Sequence, residues 1–209
     1  MKQTSIIFLF LLMSIASMAQ VRQRSNTKGF NAAVNVHSLG WASEYFQYLD
    51  ENAGNGVGGG VRFGYGVTQL IEPYIGFDFT SMNVSNVDAQ GFKMSHIDFG
   101  VRFNLGGTIS PFRPFVEGGY SSRTGKITQV INGFDYVDAE FSGGTPHVGG
   151  GLNYFASKGI AIFARGLFTV GKKSNLTIDG SSQTEKADVT TFRIGLGVNV
   201  NLSELLSSQ

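Results

Sequence analysis

The strict alternation of apolar and polar residues in Phe192–Leu202 (FRIGLGVNVNL) is the feature that most constrains the fold of this chain. Every second residue from Phe192 onwards is large and apolar, whereas arginine, glycine and asparagine occupy the positions between them. A period of two places the apolar side chains on one face of a β-strand and the polar ones on the other. The 11 residues of this segment match the roughly 9–11 that a tilted strand needs to cross a lipid bilayer.

Seven earlier segments repeat this alternation, so we predict eight strands. They are Gly29–Gly40, Gly56–Val67, Glu72–Met82, His96–Leu105, Phe112–Ser121, His147–Phe155, Ile160–Val170 and Phe192–Leu202. The seventh is irregular, because Phe163 and Leu167 fall on its polar face. The connections alternate between long and short, which is typical of an outer-membrane barrel with short periplasmic turns and longer extracellular loops.

Two of the long connections contain signals for tight hairpins. Asn132-Gly133 and Asp179-Gly180 are both flanked by strand-like residues, and both dipeptides are typical of type I′ turns. We therefore expect the fifth and sixth strands to continue well beyond the bilayer. The same extension of the seventh and eighth strands is left open.

The N-terminus has the features of a secretory signal peptide, which we assign to residues 1–19. Lys2 supplies the positive charge, Ile6–Met13 is the apolar run, and Ser17-Met18-Ala19 provides small residues before a cleavage site at Gln20. The mature chain, residues 20–209, is predicted to be one barrel domain with a short C-terminal tail after Leu202. We expect that tail to be too short to fold alone.

Composition excludes several classes of function. The absence of cysteine excludes a disulfide scaffold, a lipid anchor on cysteine and thiolate chemistry. Loss of Lys2 with the leader takes the formal charge from +1 to 0, with 15 Lys and Arg against 15 Asp and Glu. A neutral chain lacks the basic surface that a nucleic-acid partner requires.

The composition of the polar faces favours a membrane barrel over a soluble sandwich, which has the same alternation. The polar faces contain mainly Gly, Asn, Asp and Arg, which suit a narrow shared interior better than a solvated surface. In lipid every backbone group must be paired, and a closed barrel achieves this whereas an open sheet does not. We predict an all-β fold, an eight-stranded antiparallel up-and-down transmembrane β-barrel.

Two motifs carry a resemblance to a known family. The Arg-x-Gly-x-Gly-Val run at Arg193–Val198 and the Pro-Phe-Val-Glu-Gly-Gly-Tyr run at Pro114–Tyr120, behind a signal peptide, resemble the small bacterial outer-membrane β-barrels. That family includes OmpX and the transmembrane domain of OmpA. The resemblance implies a place in the bacterial outer membrane, in contact with its lipid, but no particular activity. The chain departs from the family by ending its last strand without a C-terminal aromatic residue.

Charged residues on the predicted inward faces form the candidate functional site. These residues are Arg62, Asp78, Asp98, Arg102, Glu117, Arg165 and Arg193. Each is expected near mid-barrel, where buried charges need partners, with His96 and His147 nearby. We predict a cross-linked network that plugs the lumen, because eight strands enclose little more than their own side chains. The alternative is a charge-selective constriction in a small porin-like channel.

The histidines do not form a catalytic or metal-binding pattern. His37-Ser38 and Ser95-His96 are adjacent pairs, and adjacent residues of a strand point to opposite faces. His147 has no carboxylate beside it on its strand, and no two histidines share a metal-ligand spacing. We therefore predict no enzymatic activity, no cofactor and no metal.

Aromatic residues predict contacts with lipid and with other proteins. Outward-facing aromatics are expected to form interfacial girdles at the two ends of the strands, namely Phe63, Tyr65, Phe103, Phe112 and Tyr154 at one end and Phe79, Tyr120 and Phe168 at the other. The first long loop contains a cluster of four aromatics, Trp41, Tyr45, Phe46 and Tyr48. These four either pack on the barrel rim or form a contact patch for a partner.

We expect a monomer that has a structural or surface-interaction role, with a protein partner at the extracellular hairpins. A third interpretation is a secreted lipocalin-like carrier, in which the apolar faces would point inward around a ligand.

Overall fold

The computed structural model describes residues 23–132 and 135–207. The predicted signal peptide and Gly133 of the predicted turn at Asn132-Gly133 lie outside these residues. Within them, no helix is both long enough and apolar enough to cross a membrane.

Eight antiparallel strands form a closed barrel in which each strand pairs with its neighbours in sequence and the last pairs with the first. The strands are β1 (Gly29–Ala42), β2 (Asn55–Gly66), β3 (Ile71–Met82), β4 (Gly91–Asn104), β5 (Phe112–Asn132), β6 (Asp135–Ser157), β7 (Ile160–Ile178) and β8 (Ser181–Asn201). The predicted fold class and strand number are confirmed. In the part of the chain that the structure describes, two short helices accompany the barrel, α1 (Gln47–Asn52) in the first long connection and α2 (Leu202–Ser207) directly after β8.

The start of α2 corrects the predicted end of the last strand. The alternation predicts a strand that includes Leu202, but the structure ends β8 at Asn201 and begins a helical turn with Leu202. The tail that follows the barrel is folded against it, since Ser203 Oγ accepts a hydrogen bond from the Phe30 N–H of β1 at 2.9 Å.

The two faces of the wall have opposite polarity over most of the barrel. Outward apolar side chains are exposed, with Phe30 at 62% and Leu196 at 59%, whereas the inward Arg62 and Asp78 are 3% and 1% exposed. A lipocalin-like carrier needs the reverse arrangement, so that alternative is wrong. Burying the polar side and exposing the apolar side suits a barrel that is surrounded by lipid.

Four strands extend beyond the others on the side of the long loops. Strands β5 to β8 are 19–23 residues long, against 12–14 for β1 to β4. The extension of β5 and β6 is confirmed, and β7 and β8 extend with them. Asp179 and Gly180 connect β7 to β8 with φ angles of +46° and +76°, as a type I′ turn requires.

Phe163 and Leu167, which broke the predicted pattern of β7, point into the barrel and are 2% and 0% exposed. They fit because glycines stand opposite them. A Cβ atom on Gly197 would lie 2.5 Å from Phe163 Cζ, and one on Gly149 would lie 2.6 Å from Leu167 Cδ2. Large apolar side chains thus fill interior space that the neighbouring glycines leave empty.

Candidate functional site

An ion-pair cluster lies in the middle of the lumen and joins strands on opposite sides of the barrel. Arg193 donates to Asp78 at 2.6 Å and to both carboxylate oxygens of Asp98 at 2.8 and 3.0 Å. Arg165 donates to the same Asp78 oxygen at 2.8 Å. Asp98 also accepts a hydrogen bond from the Ser121 hydroxyl at 2.6 Å. Each carboxylate therefore has more than one donor, as buried charges require.

A second cluster lies on the periplasmic side of the first. Arg102 contacts Glu117 Oε2 through Nη2 at 2.6 Å and through Nε at 2.8 Å. Arg62 Nη1 lies 3.8 Å from the same oxygen, and its Nη2 lies 3.6 Å from Glu72. The Arg102 guanidinium also stacks over the Phe115 ring, with 3.7 Å between Cζ and the ring centroid.

All seven predicted lumen residues are therefore inside the barrel and belong to these two clusters. Sequence reasoning missed Glu72, which brings the clusters to four arginines and four carboxylates. The signal was present, because Glu72, Tyr74 and Asp78 share the inward face of β3. Glu72 was overlooked because it stands at the predicted start of the strand.

Two further buried arginines, which the sequence analysis also missed, lie at the ends of the lumen. Arg113 donates to the Thr27 hydroxyl at 3.1 Å and to the Asn104 carbonyl at 3.1 Å, at the periplasmic end. Arg123 donates to the Val189 carbonyl and to Ser174 Oγ on the extracellular side. Both continue the inward alternation of β5, and both bind carbonyls and hydroxyls rather than carboxylates.

The three histidines lie inside the barrel and bind neutral groups. His37 contacts Thr80 Oγ1 at 2.8 Å, His147 contacts the Tyr74 hydroxyl at 2.9 Å, and His96 contacts Thr191 Oγ1 at 3.4 Å. Across residues 23–132 and 135–207, no group of three or more His, Cys, Asp and Glu side chains is arranged to hold a metal ion.

An apolar layer fills the interior on the extracellular side of the charged clusters. Its buried members are Leu39, Trp41, Leu49, Met82, Phe92, Met94, Ile127, Ala139, Phe141, Leu176, Ala187 and Val189. Trp41 stacks on Phe141 with 6.0 Å between ring centroids, and its Nε1 donates to the Ala53 carbonyl at 2.9 Å. This layer separates the charged interior from the extracellular tip.

The structure divides the predicted aromatic patch. Trp41 lies in β1 rather than in the loop, and it is 7% exposed within the apolar layer. Phe46 packs against this layer, whereas Tyr45 and Tyr48 are 41% and 58% exposed. Trp41 points inward because alternation along β1 continues to the end of the strand.

The N-terminal segment 23–28 crosses the periplasmic mouth of the barrel. The Arg24 N–H donates to the Thr108 carbonyl at 2.8 Å, and the Asn26 N–H donates to the Lys158 carbonyl at 2.8 Å. Glu204 of α2 accepts hydrogen bonds from Asn26 and Lys158, each at 2.7 Å. The hydrogen bond from Lys158 holds the pKa of the Glu204 carboxyl below its usual value.

A family comparison assigns this architecture. The chain matches the profile of the outer membrane protein beta-barrel domain over residues 7–208. The chain belongs to this family. The resemblance is thereby confirmed, and so is the predicted location in the bacterial outer membrane. No curated protein is similar enough in sequence to match the chain.

Three solved structures share the fold at low sequence identity. Neisserial surface protein A is 16% identical with a TM-score of 0.57, and the match covers 84% of this chain and 98% of that one. OprG from Pseudomonas aeruginosa is 9% identical with a TM-score of 0.53, covering 84% and 97%. The attachment invasion locus protein Ail of Yersinia pestis is 14% identical with a TM-score of 0.52, covering 83% and 99%.

Proposed function

We propose that this protein is a sealed, non-conducting outer-membrane barrel with a structural or surface-interaction role. The observation that carries the proposal is the set of cross-lumen ion pairs. Arg193 and Arg165 on β8 and β7 bind Asp78 and Asp98 on β3 and β4, which are on the opposite wall. A water path along the axis would have to separate these pairs, and leaving a buried charge unpaired is costly.

The apolar layer supports sealing independently of the ion pairs. Trp41, Phe92 and Phe141 meet inside the extracellular end of the barrel with ring centroids 5.0–6.2 Å apart. A hydrophobic constriction excludes water and blocks ions even without direct steric closure. An ion crossing the lumen would therefore meet a dry layer first and a paired charge layer second.

The extension of β5 to β8 supports a role in surface interaction. Among the described residues, the β8 edge of this extension has no second strand partner, because pairing with β1 ends at Ala42 and Thr190 and Ser181–Val189 pairs with β7 alone. Its β5 edge is covered, since the Gln90 N–H donates to the Thr128 carbonyl at 3.0 Å. An unpaired strand edge accepts an extended segment from another protein. Two of the similar structures are named as a surface protein and an attachment protein, which agrees with this role.

The proposed role involves no catalysis. Within the described residues, each histidine is bound to a hydroxyl, an amide or a phenol inside the barrel, and none forms a Ser–His–carboxylate set.

Planar bilayer recording tests the sealing. We expect no stable conductance steps from the wild-type protein, and frequent openings when Trp41→Ala and Phe141→Ala, which open the apolar layer, are combined with Arg193→Ala and Asp98→Ala, which remove a cross-lumen pair. The matched control is the removal of two lipid-facing rings, Phe63→Ala with Phe168→Ala, which should leave the bilayer silent. Steady steps from the wild-type protein would favour the small-porin alternative and overturn the proposal.

Site-specific crosslinking tests the surface role. A photoreactive amino acid at Ser182, in the open edge, should form crosslinks to another protein on intact cells. The same amino acid at Gln90, beside the covered edge, should form none. Equal crosslinking at both positions, or at neither, would count against this use of the edge.

A further inference from the structure

Two lysines mark the level at which the lipid-facing wall of β4 and β5 first becomes charged. Lys93 is the first charged outward residue of β4 above the apolar band, and Lys126 is the first of β5. The outward residues below them are Ser95, Ile97, Phe99, Val101 and Phe103 on β4 and Thr124, Ser122, Tyr120, Gly118 and Val116 on β5. The two ammonium groups are therefore at the boundary between lipid tails and headgroups, on the extracellular side.

The register places the two lysines directly opposite each other. Lys93 pairs with Lys126 in the β4–β5 ladder, and both side chains are exposed on the outer face. Like charges at directly opposed positions destabilise a sheet. Glu140 stands opposite Lys126 on β6, but neither lysine forms a salt bridge in the part of the chain that the structure describes. One carboxylate balances at most one of the two cations, so this sector keeps a positive charge.

A concavity of about 460 Å³ lies at the same place. Val57 and Phe79 form its apolar part and are 71% and 65% exposed. The outward-facing side chains of Ser81, Lys93, Ser95, Thr124 and Lys126 line the rest. The concavity thus has an apolar surface and a group of hydrogen-bond donors side by side, as the binding of an amphiphile requires.

We propose that this concavity, termed the Lys93–Lys126 site, binds the phosphate headgroup of an outer-leaflet lipid. A phosphate between the two ammonium groups converts their mutual repulsion into two attractive contacts. The hydroxyls of Ser95 and Thr124 supply further donors at the same level. Val57 and Phe79 then contact the acyl chains, which makes a lipid phosphate a better fit than a soluble anion.

Charges elsewhere on the wall confine the site to this sector. Glu140 on β6 and Asp188 on β8 are the first outward charges of their strands above the apolar band, and both are acidic. They repel a phosphate at the same height. The exposed Lys173 of β7 stands directly opposite Asp188, so an acidic partner offsets its charge. Lys93 and Lys126, by contrast, stand opposite each other. The bound lipid is therefore expected against β3 to β5 rather than around the whole barrel.

Titration with diphosphoryl lipid A tests the site on the full mature protein in a neutral maltoside detergent. The dissociation constant is measured by native mass spectrometry, and gel mobility verifies that each variant is folded. Lys93→Gln and Lys126→Gln should each weaken binding about fivefold, in line with about 1 kcal/mol per basic residue near a lipid surface. Lys186→Gln, which removes an exposed lysine from β8, is the control for net charge and should change little.

The unfolding temperature provides a second readout, because one substitution should shift it in opposite directions without and with lipid A. Without lipid A, Lys93→Gln, which leaves Glu140 opposite Lys126, should unfold at the wild-type temperature or above it, because the repulsion between the two lysines is gone. With lipid A, it should unfold at a lower temperature than the wild type, because the bound lipid stabilises it less. Equal binding by all variants, or equal loss in Lys186→Gln, would overturn the proposal. Protection by inorganic pyrophosphate equal to that by lipid A would overturn the assignment to a lipid.

Discussion

Arg193 on β8 and Asp98 on β4 form two hydrogen bonds, at 2.8 and 3.0 Å, from opposite walls of the barrel. Three strands lie between them in either direction around the ring. This side-chain bridge therefore connects parts of the sheet that no backbone ladder joins directly. Because both groups are about 1% exposed, solvent does not weaken the attraction between them.

Removal of the Arg193 guanidinium should be strongly destabilising. Arg193→Met leaves Asp98 with only the Ser121 hydroxyl and leaves Asp78 with Arg165 and Asn35. Breaking a buried pair by removing one partner costs about 3–5 kcal/mol. The free energy of unfolding is measured by urea titration in lipid vesicles, with gel mobility distinguishing folded from unfolded protein. Lys158→Met removes an ion pair whose lysine is 43% exposed, and it should cost less than about 1 kcal/mol. Equal losses of unfolding free energy in the two variants would mean that the lumen ion pairs add no more stability than a surface ion pair.

The apolar layer should contribute comparably to stability. Phe141 is 0% exposed and contacts the rings of Trp41, Phe46 and Phe92. Phe141→Ala should cost about 3–5 kcal/mol, because the rigid barrel cannot collapse into the cavity. The same urea titration measures this cost. Tyr48→Ala, at a 58% exposed position on the same end of the molecule, should change the free energy by less than about 0.5 kcal/mol.

The lumen clusters were predictable and the apolar layer was not, for one physical reason. Within the bilayer, alternation places apolar side chains outward, so Asp98 and Arg193 could be assigned to the interior from the sequence. Above the bilayer the outside is water, and the polarity of the two faces reverses. On β5 and β6, Ile127 and Phe141 point inward and are 0% exposed, whereas Lys126 and Glu140 point outward.

The same reversal explains the errors at the strand ends. The predicted β1 ends at Gly40, directly after its inward face becomes apolar at Leu39, so the sequence predicts Trp41 in the loop patch. The alternating segments of β5 to β8 end near the bilayer for the same reason, and it is the turn signals at Asn132-Gly133 and Asp179-Gly180 that indicate how the strands continue beyond it. The sequence also could not predict which buried arginine pairs with which carboxylate. Cross-lumen pairs form between opposite walls, so they depend on how the barrel closes and not on which strands are neighbours.

The β7–β8 turn should tolerate substitution poorly at one position. Gly180 has a φ of +76°, and nothing else lies within 4 Å of where a Cβ atom would be. The cost of Gly180→Ala is therefore backbone strain alone, about 1 kcal/mol. Because the β7–β8 hairpin protrudes from the barrel, the strain should open the hairpin locally without unfolding the barrel. The rate of tryptic cleavage after Lys186 measures this opening and should rise about fivefold. Gly107→Ala, in a turn with equal free space but no positive φ, should leave that rate unchanged. An unchanged rate in Gly180→Ala would mean that the turn does not limit opening.

Acidification should release α2 from the barrel. Glu204 binds Lys158 and Asn26, and the hydrogen bond from Lys158 lowers the pKa of its carboxyl. A lowered pKa means that the contact stabilises the folded state above the ordinary carboxyl pKa of about 4.3 and is lost as the pH falls through the lowered value. Since the chain lacks cysteine, a single spin label at Ser207→Cys reports the motion of α2. Its mobility should be low at pH of about 7 and should rise below pH of about 4.

Two variants separate this titration from general acid unfolding. With Glu204→Gln the label should be mobile at every pH, because the charged acceptor for Lys158 is absent. With Glu185→Gln, which removes an exposed carboxylate at the other end of the molecule, the mobility profile should match that of the parent protein. A pH-independent label in the parent protein, or identical profiles in all three proteins, would show that Glu204 does not hold α2 in place.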